Sequence, residues 1–157
     1  MSDRLSDFQK QVAHVEEGRA GDATAVEVLA SALGDPARSV REAATLALAE
    51  VGRRLVGEDR PRPIFDDAGM AGLVQALLEG GLDVQCASAQ ILGWSGRPEA
   101  VRPLALTLAD HRLRDAAIAA FIDMGPGAFD QLTALAPVLE PELRVEVYGL
   151  LPRLRAK

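Results

Sequence analysis

The sequence predicts an all-α fold, and three observations carry that expectation. Ala, Leu, Arg and Glu, all good helix formers, dominate the 157 residues. Apolar residues recur at spacings of three and four, and strand-like alternation of β-branched and aromatic residues is nowhere sustained. The segment VREAATLALAEVG, starting at Val40, returns further along the chain in the same register. With 48% hydrophobic but only 4% aromatic residues, small aliphatic side chains must fill the interior, which favours helices packed closely on helices. A chain of this length is expected to form a single domain over 1–157.

Residues 3–17 are expected to form an N-terminal cap helix, with Leu5, Phe8, Val12 and Val15 on one apolar edge and charge on the rest. Repeats follow at about 22–55, 67–95, 97–124 and 126–154. Their second helices read VREAATLALAEVG from Val40, VQCASAQILGWSG from Val84, LRDAAIAAFIDMG from Leu113 and, more loosely, LRVEVYGLLPRLR from Leu143. Gly52, Gly96 and Gly125 align without a gap; the last copy has no such glycine. Each second helix is preceded by another apolar stripe: Val26, Leu29 and Leu33; Met70, Leu73 and Leu77; Val101, Leu104 and Leu108; Leu132, Leu135 and Leu139. GDP at 34–36, EGGLD at 79–83, DHR at 110–112 and EPE at 140–142 break the pattern between the two helices. Pro98, Pro126 and Pro141 suit a first helical turn, where the missing N–H costs little. The unit is therefore a helical hairpin. Within the second helices Ala43, Ala44 and Ala47, with equivalents such as Ala87, Ser88 and Ala117, let neighbours approach, and Leu48, Leu92, Phe121 and Leu151 fill the gap. The insertion at about 55–66 holds Pro and Gly breakers and is expected to be an irregular loop, with Ile64 and Phe65 either tucked beneath it or carried on a protruding contact element.

LGDPARSVREAATLALAEVG, residues 33–52, resembles the HEAT-repeat family in its short bacterial form, also known as phycobilin-lyase-like repeats. That family's second helix begins with an Asp followed by Val-Arg and continues Ala-rich. The resemblance covers 23 to about 154; Gln85 replaces the Arg in the second copy and Glu140 the Asp in the fourth. It implies a right-handed α-solenoid of about four HEAT-like hairpins behind a cap helix, stabilised by stacking. It also implies that Arg41, Arg114 and Arg144 are held by Asp35, Asp110 and Glu140, joining adjacent repeats. Members commonly serve as adaptors, scaffolds or regulatory subunits.

Enzymatic chemistry finds little support. His14 and His111 are the only histidines, and neither has another His or a Cys at metal-ligand spacing. Cys86 has no positioned base or cationic neighbour and reads as a tolerated substitution. The glycines at 79–81 and 125–127 follow no strand and lack the Lys and Ser/Thr of a phosphate loop. No catalytic residue, cofactor or metal is expected. The net charge of −6 disfavours nucleic acid and anionic lipid as partners. Lysine occurs only at Lys10 and Lys157, an Arg bias pointing to GC-rich bacterial coding. One cysteine, a charged N-terminus and the lack of a long apolar run make the cytoplasm the expected compartment.

The expected role is thus a non-catalytic protein-binding module. The stripe 42, 46, 49, 50 of the second helices lies opposite the inward columns and is expected to line a concave, slightly acidic face. Glu42, Glu50, Gln90, Trp94, Asp115 and Asp123 are its candidate partner-binding residues. Trp94 stands where the other copies place Glu50 and Asp123, so it is either an exposed anchor or covered by the long loop. A basic or amphipathic segment of another protein is the expected partner, the chain itself being a monomer or weak homodimer. Two other readings remain open: a nucleic-acid module like the HEAT-like DNA glycosylases, and a bilin lyase or chaperone-like protein. Pro152 is expected to interrupt the last helix, leaving Leu150, Leu151 and Leu154 to turn inward or to form a contact surface.

Overall fold

A computed structural model describes Lys10, Ala13 and residues 23–55 and 60–155. Among the described residues every regular element is helical. Helix α1 (Ala23–Ser31) runs into a 3-10 turn (Ala32–Gly34), followed by α2 (Arg38–Arg54), α3 (Asp67–Glu79) and α4 (Leu82–Ser95). A second 3-10 turn (Pro98–Ala100) leads into α5 (Val101–Thr107), then α6 (Arg114–Met124) and α7 (Pro126–Leu135). A third (Ala136–Val138) precedes α8 (Pro141–Arg155). Of the N-terminal helix expected at 3–17, Lys10 and Ala13 are helical; the apolar edge and His14 lie outside the described residues. Contacts divide the chain into two compact units, Met1–Ile91 and Leu92–Lys157, the division falling inside α4.

In the first unit α1 packs on α2, and α3 packs on the 3-10 turn that ends the first hairpin. Val26, Leu29 and Leu33 face Val40, Ala44 and Leu48 as buried core, joined by Met70, Leu73 and Leu77 from α3. Spacings of three and four on both helices of a pair produce this arrangement, since each stripe needs the other to leave water. Helix α3 passes so close to the first hairpin that a Cβ on Gly72 would collide with the Leu33 carbonyl. In the loop ahead of α3, Phe65 is buried but Ile64 is 87% exposed, so only one of the two tucks in. Adjacent side chains in a non-helical stretch diverge, and only one can face the core.

In the second unit α5 packs on α6 and α7, and α8 packs on α7 and α6. Leu104, Leu108, Phe121, Leu132, Val147 and Leu154 are buried. Leu135 is half-buried, and Ala128 and Ala136 join Leu132 and Leu139 on the inward side of this hairpin. Gly93 meets α6 at close quarters: a Cβ there would lie 2.5 Å from Ala120 Cα and 2.7 Å from its Cβ.

Helix ends follow local chemistry. Asp66 caps α3, its Oδ1 accepting from Gly69 N at 2.9 Å. Pro98, Pro126 and Pro141 open the second 3-10 turn, α7 and α8. Gly96 and Gly125, at φ of 67° and 81°, end α4 and α6 in backbone that other residues rarely adopt. Gly52, aligned with them, behaves differently, because α2 continues through it to Arg54. Pro152 does not interrupt the last helix: α8 runs on to Arg155, with Leu150 and Leu154 buried and Leu151 half-buried. No helix among the described residues is long and apolar enough to cross a membrane.

Replacing Gly93 by Ala should destabilise the protein by about 2–3 kcal/mol, because backbone rather than a pliable side chain stands in the way. Gly127, where an added Cβ meets nothing within 4 Å, is the control: its Ala variant should gain up to about 1 kcal/mol from helix propensity. Urea unfolding of both variants measures the difference, and equal midpoints would refute the close approach at Gly93.

Candidate binding surface

The repeat arginines act within a hairpin, as donors to main-chain oxygens at the end of its first helix or, for Arg41, in the loop just past it. Arg41 Nη1 donates to the carbonyls of Asp35 at 2.8 Å and Pro36 at 2.9 Å. Arg114 Nε donates to Leu108 O at 3.3 Å, and Arg144 Nη2 to Leu139 O at 3.1 Å and Pro137 O at 3.3 Å. Gln85, standing where the other copies have Arg, does the same work: its Nε2 donates to Leu77 O at 3.0 Å in a buried setting. The last carbonyls of a helix have no intrahelical partner, and a cationic or amide donor from the returning helix supplies one.

The acids once expected to hold those arginines have other roles. Asp35 Oδ1 accepts from Ala37 N at 2.9 Å and Asp110 Oδ1 from Arg112 N at 3.0 Å, each closing the turn between the two helices. Lys10 also pairs with Asp35, at 3.2 Å. Arg112 hydrogen-bonds Asp110 through side chain and main chain, which together hold the Asp110 carboxyl below its usual range. Glu140 is exposed. The acid that Arg114 does meet is Glu146, at 3.1 Å, tying α6 to α8. Asp and Arg share a sequence signature here because both serve the same turn.

Most of the expected binding stripe is at the surface. Glu42 and Glu50 are half-buried and paired along their own helix, with Arg38 at 2.9 Å and Arg54 at 2.7 Å. Asp115 and Asp123 are exposed. Gln90 bridges α4 to α2: its Nε2 donates to Ala49 O at 2.8 Å while its Oε1 accepts from Arg53 at 3.3 Å. Trp94 departs from the stripe. At 2% exposure it is core, so it cannot be a surface anchor. An indole gains far more by leaving water than the carboxylates at the same repeat position, and residues 91–95 of α4 are buried on every side, so an apolar residue suits this covered face.

Each unit carries a groove on its second-helix face. In the first unit Leu46, Ala49 and Arg53 of α2 face Asp83, Cys86 and Gln90 of α4 across about 300 Å³. In the second unit Ile118 of α6 faces Val145, Glu146, Gly149 and Arg153 of α8 across about 340 Å³. Cys86, Ala87 and Gln90 occupy the same repeat positions as Val145, Glu146 and Gly149, so the downstream walls of the two grooves are equivalent, whereas the upstream walls, Leu46, Ala49 and Arg53 in one and Leu108 and Ile118 in the other, are not. Larger hollows, such as one of about 540 Å³ between α1 and the loop at Pro61–Ile64, share no such register. Leu46 is 42% exposed and Val145 71% exposed, giving each groove an apolar wall beside charged residues of both signs. Leu46 and Val145 were legible in the sequence as aliphatics in the water-facing stripe; attention to its charged members hides them.

Burial, and secondarily the nearby Asp83 carboxylate, push the Cys86 thiol up, keeping it protonated and a poor nucleophile. No group of three or more His, Cys, Asp or Glu among the described residues is placed to hold a metal ion. What the surface supplies is an apolar strip, hydrogen-bonding side chains and mixed charge.

Two measurements check this geometry. Gln85→Leu should cost about 1–3 kcal/mol, since it leaves the buried Leu77 carbonyl without its donor, whereas Gln85→Arg should cost less. Because Trp94 is the only tryptophan, its emission reports the burial directly. It should be blue-shifted and resist acrylamide quenching; water-like emission from the folded chain would overturn the core assignment.

No protein-family model matches the chain, and comparison with curated proteins finds no match.

Proposed function

We propose that the chain is a non-catalytic protein-binding module, an adaptor, scaffold or regulatory subunit, acting in the cytoplasm. The observation that carries this reading is that each unit has a groove with an exposed aliphatic residue, its downstream wall built from equivalent repeat positions of the second helices. Repetition of a surface feature with the repeat suits a ligand that is itself extended along several side chains, such as a partner segment. The four in-register copies further support a right-handed solenoid of HEAT-like hairpins as the architecture presenting those grooves. Mixed charge around each groove suits an amphipathic segment, apolar on one face and charged on the other. Helices packed through small residues form a rigid surface, so the module itself loses little conformational freedom on binding.

The test compares affinity capture by the unaltered chain with capture by Leu46→Asp, which puts a charge on the first unit's apolar wall. Leu78→Asp, on an exposed apolar residue of α3, is the control. A partner retained by the unaltered chain and the control but lost about tenfold or more with Leu46→Asp is the expected result. Equal recovery by all three removes the groove from the binding surface.

A further inference from the structure

Helix α8 carries an apolar seam that no part of its own unit covers. Val145, Tyr148, Gly149 and Pro152 follow i, i+3, i+4, i+7, the spacing that lines up one helix face, and all four are exposed. Val145 is 71% and Tyr148 50% exposed, well beyond what an isolated surface apolar residue requires explaining, because the two are adjacent on one stripe. At the repeat position of Tyr148 the first two copies place Thr45 and Ala89, both buried. The seam also has a gap in it: a Cβ added at Gly149 would meet nothing within 4 Å.

We propose that this face docks on the same face of a second copy of the chain, the two α8 helices running antiparallel about a two-fold axis near Tyr148 and Gly149. Three features make the helix complementary to itself in that orientation. Its first turn carries Glu142 and its last turn Arg153 and Arg155, so reversal sets the acid of one copy beside the Arg153 of the other. Reversal about Tyr148 and Gly149 also sets Val145 opposite Pro152, apolar against apolar, and brings the two Tyr148 rings alongside each other. Gly149, lacking a side chain, allows the helix backbones to approach at the centre. A parallel pairing would instead put Glu142 against Glu142 and Arg153 against Arg153. Arg155 lies over the Phe129 ring, 5.9 Å from its centre, and Glu146 pairs with Arg114, so Glu142 and Arg153 are the charges assigned to the contact.

This pairing covers the α8 wall of the second unit's groove, so a partner held there would compete with the dimer, whereas the test at Leu46 concerns the first unit's groove. Sedimentation velocity of the full chain from about 1 to 100 µM tests it, a range that reveals a dimer with a dissociation constant near 10 µM. Concentration-dependent dimer is expected. Glu142→Arg or Arg153→Glu alone should weaken it about tenfold, and the two together in one chain should restore it. Gly149→Gln, which adds bulk at the seam's centre while favouring the helix, should also abolish the dimer with the far-ultraviolet circular dichroism unchanged. A chain that stays monomeric throughout, a dimer indifferent to Gly149→Gln, or one that the charge exchange fails to restore would each overturn the proposal.

Discussion

The end of each first helix leaves carbonyl oxygens that its own backbone cannot satisfy, and the design of the whole hairpin turns on how they are met. The second helix returns antiparallel, bringing its first turn alongside those oxygens. One residue of that turn meets main-chain oxygens there in every copy: Gln85, Arg114 and Arg144 at the helix end, and Arg41 in the loop just beyond it. The positive or amide donor sits at the negative end of the first helix dipole, where it is favoured electrostatically as well as by hydrogen bonding. This explains why Gln is tolerated at one position and why no carboxylate needs to follow it. The donor is the constraint, and its charge is secondary.

Once the turn is fixed, the distance between helices is set by what lies at the crossings. Gly72 against the Leu33 carbonyl and Gly93 against Ala120 bring backbones nearer than any side chain permits. Ala44, Ala47, Ala117 and Ala120, all buried, extend the same close packing along the second helices. Close packing substitutes for bulk. A chain with 4% aromatic residues fills its interior by shortening the gaps between helices, with Phe121 and Trp94 among the few large side chains in the core.

That economy shapes the surface. Acids on the second helices meet arginines of their own helix, Glu42 with Arg38 and Glu50 with Arg54, one turn away. Exposed pairs of this kind contribute little to stability, but they blunt the acidic character of the face. What distinguishes the face is then the aliphatic residue between the charges, Leu46 in one unit and Val145 in the other. The second of these continues into the uncovered seam of α8, where Tyr148 adds an exposed aromatic ring while Phe65, Trp94 and Phe121 are buried.

The sequence alone determined what depends on spacing and local chemistry. Among the described residues, periods of three and four placed the helices of the repeats and most of their buried stripes, prolines marked the starts of a 3-10 turn and two helices, and two glycines in register marked helix ends. These features act over one or two turns, within reach of the residues that cause them. Tertiary structure decided what depends on neighbours distant in sequence. The Asp-Arg signature is read in sequence as one ion pair, yet the oxygens that attract Arg41 are main-chain atoms, which no side-chain pattern displays. Gly52 aligns with two helix-ending glycines but sits inside α2, and Pro152 rides within α8, because packing on either side outweighs the local preference to stop. Trp94 shares a column with two acids yet is buried, because helical phase fixes where the side chain points but only the packing around the end of α4 decides whether that face is covered.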